Sequence, residues 1–226
     1  MFIGHFGVGF GLKRFAPRAS LGLLIATTVW ADILWTVFLL LGWEHVRISV
    51  GITRWNPLDL YDFPWSHSLL FLLLWATALA AVYRVYRADK AGAIAVWIGV
   101  VSHWVLDWLT HRPDMPLYPN GPKFGASLWN SIPGTLLVEV AIFVIGVWLY
   151  ATSTRAHDRI GRFAFWAYVI VLFLLYVADR FSPPPETMRE IAVSGLVFLL
   201  VLLLWPWWFD RHRDPVSLPG SPDPRP

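Results

Sequence analysis

Apolar residues fall into six long runs along the chain, at roughly 20–43, 66–83, 91–110, 132–152, 163–178 and 190–209. Each is close to the roughly 17–25 residues that a helix needs to cross hydrocarbon. Helices are required because lipid offers no partner to a free backbone N–H or C=O. A shorter apolar stretch, FIGHFGVGFGL at 2–12, cannot span. Its Gly7 and Gly11 form a small-xxx-small pair that lets a short helix lie close against a neighbour. The pattern predicts an all-α fold: a polytopic membrane helix bundle of about six transmembrane helices plus a short half-inserted N-terminal helix. Residues 1–152 form one unit of four spans and the short helix, and 153–213 add two further spans packed on it. The tail 214–226 carries five prolines and is expected to be disordered. The two longest connections, 44–65 and 111–131, are rich in Pro, Asp and aromatics, which predicts ordered turns rather than slack linkers.

Composition reinforces this pattern, with 57% hydrophobic and 15% charged residues. Trp43, Trp65, Trp129, Trp207 and Trp208 sit near run ends, where tryptophan belts form. The basic residues sort by side. Lys13, Arg14, Arg18, Arg84, Arg87, Lys90, Arg155, Arg159, Arg162, Arg211, Arg213 and Arg225 fall together. Arg47, Arg54, Arg112, Lys123, Arg180 and Arg189 fall opposite. The positive-inside rule then places the Lys13–Arg18 linker and the C-terminus in the cytoplasm, in a plasma (inner) membrane. The net charge of +3 follows from this topology, and no nucleic-acid partner is expected. A cleaved signal peptide is not expected either, because the basic residues follow the first apolar stretch. The absence of cysteine excludes disulfides and thiolate metal sites.

Against this background the ionisable residues inside the runs stand out, since each costs about 2.5–3.5 kcal/mol to insert at a helix centre. They are Asp32, His103, Asp107 and Glu139, with His67 and His111 at run ends. Counting ~1.5 Å per residue from the outer ends puts all of them in one half of the membrane, and brings His5 up from below to near Asp32. His103 and Asp107 are four residues apart, hence on one helical face and about 5–6 Å apart. Mixed imidazole and carboxylate donors suit zinc or a similar divalent metal. His5, Asp32, His67, His103 and Asp107 are therefore the candidate ligands. Asp32 or Glu139 is the candidate proton acceptor. His111, one turn beyond Asp107 at the wet rim beside Arg112, is assigned to substrate or to support of the ligands. His45, His157 and His212 read as solvated.

The same residues resemble the YdjM-like family of predicted membrane-bound, metal-dependent hydrolases, thought to be distantly similar to zinc-dependent phospholipase C. The matching pieces are Gly4-His5, Asp32 in WADIL, His67-Ser68 in PWSHSLL, and Ser102-His103 with Leu106-Asp107 in VSHWVLD. They cover roughly residues 1–150. The chain departs from the family at Leu34, where a second carboxylate often stands; this counts against a two-metal site and makes Glu139 a candidate for the missing charge. The resemblance implies hydrolysis of a phosphoester or lipid-linked substrate, with Ser66, Ser68, Ser102, His111 and Arg112 near substrate or supporting the ligands. The rival reading is an ion- or proton-coupled transporter, since intramembrane ionisable residues also mark ion pathways. The inner halves of the runs, such as LGLLIATTVWA (21–31) and AGAIAVWIGVV (91–101), carry no ionisable group, which favours a closed floor and an enzyme.

Overall fold

The computed structural model describes residues 1–216. Among the described residues five helices are long and apolar enough to cross a membrane: α5 (Leu69–Arg87), α6 (Lys90–Thr110), α7 (Ile132–Ser153), α8 (Arg159–Asp179) and α9 (Met188–Phe209). The all-α polytopic bundle is thus what the chain forms. Several helices start on a side-chain oxygen that takes an orphan N–H of the first turn. Ser68 opens α5, Ser131 opens α7, Asp158 opens α8 and Thr187 opens α9.

The run expected as one straight span at 20–43 is broken. It consists of α2 (Leu21–Thr28) and α3 (Trp30–Leu41), bent by 59° at Val29. No Pro or Gly marks the break. Thr27, Thr28 and Val29 are three β-branched residues in succession, which crowd a helix. Thr27 and Thr28 also turn their hydroxyls back onto Leu24 O and Ile25 O, a bond that loosens a helix turn.

The short helix α1 (Ile3–Leu12) lies inside the bundle, with Ile3, Phe6 and Phe10 fully buried. It packs backbone to backbone on α7. A Cβ added at Gly7 would fall 2.7 Å from Ile142 O, and one at Gly146 would strike the Gly7 carbonyl. Phe10 then meets Phe143 and Tyr150 of α7 and Phe165 and Tyr168 of α8. These rings make the centre of the largest core cluster.

Both long connections are ordered, and each contains a hairpin. β1 (His45–Ile48) pairs antiparallel with β2 (Leu58–Asp62), with an irregularity between His45 and Arg47; β3 (Met115–Pro116) pairs with β4 (Lys123–Phe124). A single turn, α4 (Pro64–His67), joins β2 to α5. Val46, Leu60, Phe63, Met115 and Trp129 pack with Leu39 of α3 into a second core that holds this layer on the helices. Trp129 is therefore buried, not a membrane-belt residue, whereas Trp43, Trp65, Trp207 and Trp208 are exposed. At the other end β5 (Thr154–Ala156) pairs with β6 (Arg213–Pro215). Asp214 and Pro215 therefore belong to the folded unit, contrary to the expected tail; residues 217–226 of that tail lie outside the described residues.

Candidate metal centre

Four helices deliver the polar residues to one point. His5 comes from α1, Asp32 from the first turn of α3, His67 from α4, and His103 and Asp107 from α6. His5, His67, His103 and Asp107 are buried, while the Asp32 side chain is 31% exposed. His103 Nε2 lies 3.2 Å from His67 Nε2, 3.1 Å from Asp107 Oδ2 and 3.8 Å from Asp32 Oδ1. His67 Nε2 lies 3.6 Å from Asp32 Oδ1, and His5 Nε2 3.0 Å from Asp107 Oδ1. Donors held ~2.0–2.2 Å from one ion at tetrahedral angles are about 3.4 Å apart, so these separations fit a shared divalent ion. Two overlapping triads qualify, His5–Asp32–His103 and His67–His103–Asp107.

The second nitrogen of each imidazole decides what the first can do. His103 Nδ1 lies 2.8 Å from Thr28 O, a carbonyl left available by the break between α2 and α3. A carbonyl only accepts, so His103 carries a proton on Nδ1, and in its neutral form presents a lone pair at Nε2. His67 Nδ1 lies 2.7 Å from Ser66 Oγ, which in turn lies 2.6 Å from Glu44 Oε2. With Glu44 ionised, the hydroxyl donates to the carboxylate and accepts from His67 Nδ1–H, so His67 too presents a lone pair at Nε2. Burial lowers the His67 pKa, which favours this neutral ring. Two lone pairs thus point at one another across 3.2 Å, with two carboxylates alongside. A cation held between them could satisfy all four groups at once.

The remaining predicted residues divide. Glu139 accepts from Phe2 N (2.8 Å) and Gly4 N (3.3 Å), capping α1 and so fixing His5, and it lines the cavity described below. The Met1 amino nitrogen lies 2.6 Å from Asp107 Oδ1. His111 is not at a wet rim. It follows the last residue of α6, where the backbone turns extended, and its ring folds back to 3.5 Å from Asp107 Oδ2. There it is buried, packed on Trp129 at 4.2 Å and bonded to Asp114. Arg112 is drawn away from the site by Asp59 and Asp114. Ser68 caps α5 and Ser102 bonds to Gly99 O within α6, so neither hydroxyl bonds to the cluster.

Sequence reasoning missed Glu44, Thr28 and Trp129. Glu44 is fully buried and also accepts from Trp65 N (2.7 Å) and Ser66 N (2.8 Å), holding α4 in place. Burial pushes its carboxyl pKa up to about 7. The cluster forms one wall of a cavity of about 740 Å³, to which Asp32, His67, Asp107, His111 and Glu139 contribute.

A family model described as YdjM inner membrane protein matches residues 64–182, just over half of the chain. The chain belongs to the YdjM inner membrane protein family. The matched segment runs from α4 to just past α8 and holds His67, His103, Asp107 and Glu139, whereas His5 and Asp32 lie before it. The match thus starts and ends later than the roughly 1–150 over which the motifs were read. No curated protein and no solved structure matches the chain. Family and apolar helices together make this an integral membrane protein with buried His and Asp groups able to hold a metal ion.

Proposed function

We propose that the chain is a membrane-embedded, metal-dependent hydrolase acting on a phosphoester or lipid-linked substrate. The observation that carries this reading is the convergence of the His67 and His103 lone pairs across 3.2 Å, flanked by Asp32 and Asp107. His67, His103 and Asp107, with Asp32 and His5 completing the set, are the proposed ligands, and zinc suits the donors. A bound divalent ion would supply Lewis acidity toward a phosphoryl or acyl oxygen and toward water. Asp32 is the ligand-set carboxylate most open to the cavity, so its second oxygen is placed to accept a proton from water there. Glu139, held by two backbone donors, keeps one oxygen free of protein partners among the described residues and is the alternative acceptor.

The distribution of basic residues supports an outward-facing site, with the Lys13–Arg18 linker on the cytoplasmic side. A carrier must expose its site to both faces, whereas here Ile3, Phe6, Leu21, Leu24 and Ile25 are fully buried in α1 and α2. That packed floor favours the hydrolase over the transporter. Metal analysis of detergent-purified protein tests the reading. About one divalent ion per wild-type chain is expected, lost in His103→Ala and Asp107→Ala. Wild-type protein purified without chelator and free of metal would sink it.

A further inference from the structure

The cavity at the metal centre has a side exit. A cleft of about 420 Å³ lies between α8 and α9, walled by Leu175, Ala178 and Phe198. It shares Phe2, Asp179 and Ser182 with the 740 Å³ cavity that reaches Asp32 and Asp107. The two helices are tied at their far ends, where Tyr168 OH bonds to Leu202 O (2.9 Å) and Phe165 packs on Phe209. Near the site they part. There α9 leans on α3 instead, where a Cβ on Gly195 would come within 3.2 Å of Thr36 Cγ2, and the connection between α8 and α9 contains Pro183, Pro184 and Pro185. Phe2 fills the gap at depth, lying 6.2 Å from Tyr176 and 5.7 Å from Phe198. Above it the gap stays open.

We infer that this cleft seats an acyl chain of a phosphate-bearing membrane lipid, whose headgroup then lies at the His/Asp centre. The inference rests on the hydrolase reading for what happens to the headgroup, but not for the seat itself. An opening between two membrane-crossing helices borders lipid chains; Phe2, Leu175, Ala178 and Phe198 give it apolar walls, and Asp179 and Ser182 mark where it joins the polar cavity. Leu174 and Val197, on the flanking faces, are exposed as lipid-facing residues are. Arg54 and Arg180 line the large cavity without an ion pair among the described residues, and offer donors to a phosphate. Asp179 and Glu190 line it too, so its mouth is charge-balanced and suits a zwitterionic headgroup as well as an anionic one.

The test is photo-crosslinking of the full chain in nanodiscs containing a phospholipid with a diazirine near the end of one acyl chain. Leu175, Ala178 and Phe198 should be labelled well above Leu137 and Val144, which are exposed on α7 and serve as ordinary lipid-facing controls. Ala178→Trp should cut the cleft label about tenfold, the effect of displacing a few buried methylenes, and leave the α7 label alone. Cleft labelling no stronger than on α7 would overturn the seat, and would mean that any phosphate is recognised without its chain. Excess inorganic phosphate should not remove the cleft label; if it does, the chain is not what is held. Lipid hydrolysis by wild type, measured in the same nanodiscs, separates the two readings. A labelled cleft without turnover keeps the seat and defeats the hydrolase, and turnover without a labelled cleft does the reverse.

Discussion

Two buried polar clusters lie at opposite ends of α1, and they differ in one respect. Around Lys13 every partner is matched. Its ammonium donates to Asp210 Oδ2 (2.7 Å) and Ala19 O (2.8 Å), and Asp210 also accepts from Leu21 N and Tyr150 OH. One positive charge meets one negative charge, and the group ties α1, α2 and α7 to the end of α9. Around His103 the donors are outnumbered. Asp32, Asp107 and the Nε2 atoms of neutral His67 and His103 all face the same point, and the Met1 ammonium on Asp107 Oδ1 answers one of the two carboxylates. A closed cluster holds a fold together; one with surplus acceptors is built for something that is not protein.

The largest expected effects set the two clusters against each other. Asp210→Ala leaves Lys13 buried and unpaired, and should cost about 3–5 kcal/mol of stability. The folded fraction should nonetheless keep its full metal content. Asp107→Ala should instead lose the ion, and because it leaves the buried Met1 ammonium without its carboxylate it should also destabilise chelator-treated protein, so metal content is what separates the two variants. Thermal unfolding with metal analysis on both variants checks this. Equal losses of metal and stability in both would mean that the clusters do the same job.

Next in size is the support behind His67. Ser66→Ala removes the acceptor that fixes its tautomer, Glu44→Ala removes the carboxylate that orients that hydroxyl, and each should weaken metal affinity about 10–100-fold. Ser102→Ala, whose hydroxyl bonds only within α6, is the matched control and should change nothing. Chelator competition reads both, and an unchanged affinity in Ser66→Ala would remove the relay from the account.

These residues also show how much of the site was legible. His103 and Asp107 could be read because four-residue spacing fixes their face, and Asp32 because a carboxylate in an apolar run has few excuses. Glu44 gave no such signal: it sits past the end of α3, where polar residues are usual, and only the fold of the β1–β2 hairpin buries it. The Thr28 carbonyl was invisible because the break at Val29 has no Pro or Gly to announce it. His111 was placed one turn too far out because depth counting assumes a straight helix, and α6 ends at Thr110. The spans themselves were legible almost to their ends, since lipid permits little besides apolar helix.

A smaller effect separates Glu44 from the ligands by pH. Its pKa is raised by burial from 4.5 to about 7, so the folded protein holds that proton more tightly than the unfolded chain does. Its contribution to stability is therefore fully present below about pH 4.5 and is lost as pH rises through about 7. In chelator-treated protein the wild type should lose stability relative to Glu44→Gln between pH 5 and pH 7, roughly the window between those two values. Parallel stability curves across that range would assign the slope to other groups.

The smallest expected effect falls on Arg112, whose position beside His111 suggested contact with substrate. Its guanidinium is committed to Asp59 and Asp114, and Asp59 is shared with Arg47 at 3.2 Å. Loss of Arg112 therefore leaves Asp59 a second cation. The Arg112 side chain is 34% exposed, and Arg47 stays on Asp59 and His111 on Asp114, so Arg112→Ala should cost about 1 kcal/mol. Metal content should not move, and neither should KM for any substrate the protein turns over. Arg54→Ala is the counterpart, because Arg54 faces the cavity without a partner among the described residues and should raise KM for a phosphate-bearing substrate. If the effects were reversed, with KM rising in Arg112→Ala and unchanged in Arg54→Ala, the ion pairs around Asp59 would have to open when substrate binds.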